Sequence, residues 1–130
     1  MLQDRGITLK GVFLTHYHAD FVAGHLNLRR KYGCDIYMGP MALEAFGIKS
    51  VRDSEMIKVG AINLKVIHTP GHTEESTCLL LVNNRNQPKH LFTGDTVFID
   101  EVGRPDLAVK TGVSTEQLAR LLYRSINHLK

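Results

Sequence analysis

The chain has 130 residues, which suits one domain or part of one. Hydrophobic residues make up 43% and charged residues 22%, a balance that excludes an intrinsically disordered chain. The formal charge of +3 is scattered, and the one tight basic cluster, at residues 29–31, lies at the end of a predicted helix, so we expect no nucleic-acid partner.

Membrane contact and secretion are not expected from the sequence. No apolar run approaches the roughly 20 residues that span a bilayer. The first residues, MLQDRGITLK, lack the apolar core of a secretory signal, so a cytoplasmic location is predicted. Cys34 and Cys78 lie at or inside apolar segments and are predicted to be buried, reduced thiols.

The first half of the chain alternates strands with helices. Its predicted elements are a strand over 11–15, a polar loop over 16–21, a helix over 22–32, a strand over 34–38 and a short helix over 41–46. Val22 and Leu26 have the spacing of a helix face, and Gly33 is predicted to be the C-cap.

The second half is predicted to be mostly strands followed by a long helix. The strands are expected over 56–59, 61–67, 77–82 and 90–93, and the helix over 114–129. Ser114 and Gln117 fit a capping box at the start of that helix. The apolar stripe of the helix consists of Leu118, Leu121, Leu122 and Ile126.

Three polar segments each follow directly after a predicted strand: THYHAD, TPGHT and TGDT. In layered α/β proteins the ends of neighbouring strands lie side by side, so loops there bring distant residues together. We therefore expect His16, His72 and Asp95 to share one site.

The residue types in these loops suit a metal ion. Two imidazoles and one carboxylate form the ligand set of non-haem Fe(II) sites, and imidazole also suits zinc. His16 and His18 share the parity of an extended segment, as does Asp20, and can face the same ion. Each loop alone is equally typical of an ordinary turn, so the prediction depends on their combination.

THYHAD, PGHT and TGDT resemble the motifs of the metallo-β-lactamase superfamily, whose first motif reads T-H-x-H-x-D-H. The resemblance implies an α/β (α+β) fold of the αββα sandwich type. Phe21 stands where the last histidine of that motif belongs and has no ligand atom. One metal ion per chain is therefore expected.

Three longer segments, HADFVAGH, PGHTEESTCLLL and FTGDTVFIDEVGRPDL, are similar to the persulfide dioxygenase branch, whose bacterial members are often fused to rhodanese domains. This resemblance implies one Fe(II), with zinc as a substitute, held by His16, His72 and Asp95. It also implies oxidation of a low-molecular-weight thiol persulfide, such as glutathione persulfide, to sulfite with O₂.

Four further residues are predicted to support the site. His18 and Asp20 are expected to orient ligands or water rather than to bind the iron. Arg104 and Asp106 are expected to pair and pin the loop that borders the site. Binding a substrate carboxylate is the alternative role for Arg104.

The family domain is longer than this chain. We therefore expect residues 1–130 to be the central part of one incomplete domain, with uncovered apolar faces that favour self-association. Two other functions remain open on the sequence: a glyoxalase-II-like zinc thioester hydrolase, and a non-catalytic metal-binding fragment.

Overall fold

A computed structural model describes residues 3–18, 20, 22–42, 47–107 and 112–130. After a short 3₁₀ turn at Gln3–Arg5, the elements are β1 (Gly11–Leu14), α1 (His25–Tyr32), β2 (Asp35–Met38), β3 (Ile48–Ser50), β4 (Met56–Val59), β5 (Ile62–His68), β6 (Thr77–Val82), β7 (Pro88–Phe92) and α2 (Thr115–Leu129). Phe21 and most of the short helix predicted over 41–46 lie outside the described residues.

The first sheet is parallel, with strand order β1-β2-β3. Its central strand supplies Ile36 and Met38, which are buried with Ile48 of β3, and Leu26 of α1 packs against this cluster. Strand β3 was not predicted from the sequence, because a three-residue strand with one buried side chain has no periodicity to detect.

Helix α1 begins later than predicted. It starts at His25, with Gly24 as an N-cap that provides no side-chain hydrogen bond. Val22, taken as part of the apolar face, is 99% exposed, so that prediction is wrong. The predicted C-cap is confirmed: Gly33 is left-handed and its N–H donates to the Arg29 carbonyl at 2.8 Å.

The second sheet is antiparallel, with strand order β4-β5-β6-β7. Strand β6 is its most buried strand, whereas every residue of β7 is exposed. The β6–β7 hairpin closes on Asn83, whose side-chain carbonyl accepts from the backbone N–H groups of Arg85 and Gln87 at 3.0 and 2.9 Å.

The two sheets meet in one apolar core. Val66 and Leu79 of the second sheet are buried with Val51, and Phe13 and Tyr37 of the first sheet pack against them. Burial of these side chains is the main favourable contribution to folding. Cys34 and Cys78 are buried free thiols, as predicted.

Helix α2 packs against the turn that follows β5. The Ser125 hydroxyl donates to the Pro70 carbonyl at 2.8 Å, and Leu118 and Leu122 are buried on the same helix. No helix within the described ranges is long and apolar enough to cross a membrane.

The capping box of α2 gives a test of local stability. Ser114 accepts from the Gln117 N–H at 3.2 Å, and the Gln117 side chain accepts from the Ser114 N–H at 2.8 Å. We expect Ser114→Ala to lower the free energy of unfolding by about 1 kcal/mol. Urea unfolding followed by circular dichroism measures the change. Thr115→Ala is the control and should be neutral or slightly stabilising, since alanine is the better helix former.

Candidate metal centre

The three predicted ligand loops meet at one place, where strands of both sheets end. His16 follows β1, His72 follows β5 and Asp95 follows β7. The loop after β1 is tied to the second sheet because the Thr77 N–H donates to the Thr15 carbonyl at 2.9 Å. The folding of the two sheets against each other therefore brings these residues together.

The side chains of these three residues converge on one carboxylate oxygen. Oδ2 of Asp95 lies 3.6 Å from Nε2 of His16 and 3.7 Å from Nε2 of His72. Two ligand atoms on one tetrahedral ion lie roughly 3.4 Å apart, given metal–ligand bonds of about 2.1 Å. Each imidazole nitrogen is thus spaced from the Asp95 oxygen as a pair of ligands of one ion would be. The group of described residues whose ligand atoms all lie within 4.8 Å of one another is His16, His18 and Asp95, without His72.

His16 has the environment of a metal ligand. The residue is 5% exposed, and its Nδ1 is hydrogen-bonded to the Thr15 hydroxyl at 2.9 Å. Its Nε2 is buried without a hydrogen-bond partner among the described residues. An unpaired buried polar atom is costly, and a cation between Nε2 and Asp95 would remove that cost. The residues therefore fit a bound metal.

His72 is oriented by a backbone group that the sequence analysis did not identify. Its Nδ1 lies 3.0 Å from the Arg104 carbonyl oxygen. Because a carbonyl only accepts, Nδ1 carries the proton and Nε2 offers its lone pair toward Asp95. Gly103 lets the backbone before Arg104 pack closely on the site, since a Cβ there would overlap the Asp95 carbonyl oxygen and lie 3.0 Å from the His72 Cβ.

His18 and Asp20 lie beside the cluster but differ in position. The ring centroids of His16 and His18 are 4.1 Å apart. One ligand atom from each of His16, His18 and Asp95 lies within 4.8 Å of the other two. The Asp20 side chain is 84% exposed, and its Oδ1 is 3.8 Å from Nδ1 of His18. The structure thus gives His18 a ligand-like position and leaves Asp20 at the rim.

Arg104 and Asp106 form the expected pair on the loop that borders the site. Nε and Nη2 of Arg104 donate to the two carboxylate oxygens of Asp106 at 3.1 and 2.6 Å. The hydrogen bond from Arg104 lowers the pKa of Asp106. Both side chains are exposed, so the contact of this loop with the site is made by the Arg104 backbone.

A buried hydroxyl network, also missed at the sequence level, links two of the ligand loops. The hydroxyls of Thr69 and Thr96 are 2.9 Å apart, and Thr69 lies 3.4 Å from the Cys78 sulfur. Burial raises the pKa of the Cys78 thiol, so it behaves as a weak hydrogen-bonding group rather than a nucleophile. Threonine in all three motifs was the only sequence indication of this network.

Comparisons with known proteins give the class of the domain. The model of the metallo-beta-lactamase superfamily matches residues 2–61. A hydroxyacylglutathione hydrolase of Brucella anthropi is 42% identical over 106 residues, which cover 79% of this chain and 39% of the relative. A probable hydroxyacylglutathione hydrolase of Schizosaccharomyces pombe is 33% identical over 105 residues, with the same coverage.

Solved structures agree with this class. A metallo-beta-lactamase from Staphylococcus aureus has a TM-score of 0.83 and 35% identity, covering 98% of this chain and 39% of that one. ETHE1 from Myxococcus xanthus has a TM-score of 0.78 and 27% identity, covering 98% of this chain and 51% of that one.

The metallo-beta-lactamase superfamily model matches residues 2–61, and the fold is that of solved metallo-beta-lactamases, so the predicted fold class is confirmed. The chain spans about 39% of the length of the curated relatives it matches. The more specific resemblance to persulfide dioxygenases stays a prediction, since the curated relatives carry the names of hydrolases.

Gly71 allows the turn before His72 to pack closely against α2, and a substitution there tests this packing. Its φ is +145°, and a Cβ there would overlap the backbone of Leu122. We expect Gly71→Ala to destabilise the protein by about 3 kcal/mol through strain and overpacking. Gly60→Ala is the control, because Gly60 has φ +60° but open space around it, and should cost about 1 kcal/mol. Equal losses in urea unfolding would contradict this packing.

The metal-free protein should lose stability in acid because of His16. Burial, followed by the charge of His18, lowers its pKa below the ordinary 6.5, although Asp95 and Glu75 oppose the shift. The unfolded chain then binds more protons than the folded one below pH 6.5. The free energy of unfolding is therefore highest above pH 6.5 and decreases as the pH falls toward the pKa of His16 in the folded protein.

Urea unfolding of the metal-free protein at about pH 7.5 and about pH 5.5, on either side of the ordinary histidine pKa, measures this effect. His16→Gln should reduce the difference between the two pH values. His90→Gln, at an exposed position on β7, is the control and should leave the difference unchanged.

Proposed function

We propose that this domain is a metal-dependent enzyme whose single metal ion is held by His16, His72 and Asp95. The observation that carries the proposal is the approach of two imidazole Nε2 atoms to one Asp95 carboxylate oxygen, at 3.6 and 3.7 Å. Asp95 is 36% exposed at its side chain, so the cluster opens to solvent on the side where a substrate would enter.

Two observations support one metal ion rather than two. Phe21 has no ligand atom where the superfamily motif has a histidine. The Asp20 carboxylate, which would join that histidine, is 84% exposed, and its Oδ1 lies 3.8 Å from Nδ1 of His18. His18 can complete the coordination of zinc, which prefers four ligands in a tetrahedron.

When bound, zinc would supply a water of lowered pKa for hydrolysis, whereas Fe(II) would supply redox chemistry with O₂. The chain's own residues supply the geometry. The Arg104 carbonyl holds the proton of His72 on Nδ1, and the Thr15 hydroxyl is bonded to Nδ1 of His16. Both rings are therefore fixed with Nε2 toward the cation.

Hydrolysis of a glutathione thioester is the reaction that the relatives favour. Proteins named as hydroxyacylglutathione hydrolases are 33% and 42% identical to this chain. In this reaction water cleaves the bond between the acyl carbon and sulfur, and gives a carboxylic acid and the free thiol. The proposed substrate class is an acyl thioester of a low-molecular-weight thiol.

Persulfide oxidation is the second candidate, favoured by Phe21 and by the likeness to ETHE1 at 27% identity. Here a persulfide anion, O₂ and water would give the thiol, sulfite and one proton. The bond between the two sulfurs breaks, the outer sulfur is oxidised and O₂ is reduced. A rhodanese domain, fused or separate, is the partner that the resemblance to the persulfide dioxygenase branch implies.

One experiment distinguishes these reactions. The 130-residue chain is purified anaerobically, loaded with zinc or Fe(II), and assayed with S-lactoylglutathione and with glutathione persulfide. We expect one metal per chain and thioester cleavage by the zinc form. Sulfite and O₂ uptake by the iron form alone would instead establish the second candidate. Tight binding of one metal without turnover of either substrate would support a metal-binding fragment.

His72→Ala tests the metal site itself. Loss of one imidazole should abolish metal binding and any turnover together, and His90→Ala should change neither, because His90 lies on exposed β7. Metal content is measured by elemental analysis after gel filtration. An undiminished metal content in His72→Ala would contradict the ligand assignment.

A further inference from the structure

Glu75 is a buried acid that the ligand cluster does not use. It is 4% exposed, and its Oε1 accepts a hydrogen bond from the backbone N–H of Tyr17 at 3.0 Å. Tyr17 lies between His16 and His18, so this bond holds the backbone from which both imidazoles project. Fifty-eight residues separate the two groups, and the contact exists only in the folded chain.

The segment that carries Glu75 is itself firmly held. The Thr77 hydroxyl donates to the Glu75 carbonyl at 3.0 Å, and the Thr73 and Ser76 hydroxyls are 2.7 Å apart. All four residues are buried. This segment directly follows His72. The turn that carries the His72 imidazole is therefore continuous with the residues that hold the backbone around His16 and His18.

A second bond makes the support two-sided. The Thr77 N–H donates to the Thr15 carbonyl at 2.9 Å, on the opposite side of His16 from Tyr17. His16 therefore stands between two backbone groups that are both bound by residues 75–77. A rotation of the His16 backbone would break at least one of these bonds.

A carboxylate is a costly group to bury, and burial is tolerated where the charge makes strong hydrogen bonds. A charged acceptor binds an N–H more strongly than a neutral one. Small displacements of metal ligands matter, because loss of a group that orients a ligand typically lowers metal affinity by about 10- to 100-fold.

We propose that Glu75 is a positioning residue for the metal centre, which fixes the Tyr17 backbone so that the HxH histidines face the cation. The inference rests on the proposed function, and it concerns the geometry of the site rather than the reaction that the site performs.

Two conservative variants separate the hydrogen bond from the charge. Glu75→Asp keeps the charge, but its side chain is about 1.5 Å shorter, which places the carboxylate beyond hydrogen-bond distance of Tyr17. Glu75→Gln loses the charge and keeps an acceptor oxygen at the same reach. Glu74→Asp and Glu74→Gln are the matched controls, because Glu74 is the adjacent acid and lies less deeply buried.

Zinc affinity is measured on the 130-residue chain by competition with a chelator of known affinity. Hydrogen exchange of the Tyr17 amide is measured by NMR in the metal-free protein. We expect Glu75→Asp to weaken zinc binding by about 10-fold or more and to speed Tyr17 exchange. We expect Glu75→Gln to stay within about 3-fold of the original affinity with Tyr17 still protected, since a neutral hydrogen bond is weaker but retained. Both Glu74 variants should match the original chain.

Zinc binding by Glu75→Asp within about 2-fold of the original, or equal losses in both Glu75 variants, would overturn the positioning role while leaving the metal site intact. If the original chain does not bind zinc or iron, the proposed function fails. The Tyr17 exchange rates of the metal-free variants then decide by themselves whether Glu75 fixes this backbone.

Discussion

The candidate site depends on keeping three separate loops in register at the meeting point of two sheets. Strands of both sheets end there: β1 before His16, β5 before His72 and β7 before Asp95. The loops are held instead by individual hydrogen bonds: Thr77 to Thr15, Thr69 to Thr96, and His72 to the Arg104 carbonyl. Each bond contributes little to stability alone, but the Thr69–Thr96 bond is buried, and together the three bonds fix the positions of the loops.

This arrangement explains why the ligand side chains are pre-oriented. His16 is buried and bonded through Nδ1, and His72 is bonded through Nδ1 to a carbonyl, so the second nitrogen of each ring points at Asp95. Bringing these polar groups together is unfavourable, and burial of the apolar core around Val66 and Leu79 offsets that free energy during folding. A cation that enters the cluster then meets ligands that need little further ordering.

Local sequence patterns predicted the features that depend on neighbouring residues. The Gly33 cap and the Ser114–Gln117 capping box are correct because each involves residues within a few positions. Val22 was placed in α1 by spacing alone, but the helix begins only after Gly24. The ligand candidates were found because all three stand in glycine- or threonine-rich loops after strands.

The supporting groups could not be found in this way. Glu75 reaches Tyr17 across 58 positions, and the Arg104 carbonyl that holds His72 is a backbone group that every residue has. No local pattern distinguishes such groups from their neighbours, since their roles arise from tertiary packing. The side chain of Arg104, which did attract attention in the sequence, pairs with Asp106 on the surface.

The close packing of α2 against the turn at Pro70 and Gly71 fixes the position of the candidate ligand His72. Leu122 leaves no room beside Gly71, and Ser125 is bonded to the Pro70 carbonyl, so the helix cannot slide or fray past this point without releasing the turn. Binding of a cation by His72 would consequently be coupled to the order of the helix in both directions. An ion held by His72 would stabilise α2 against unfolding, and a change that loosened α2 would speed dissociation of the ion.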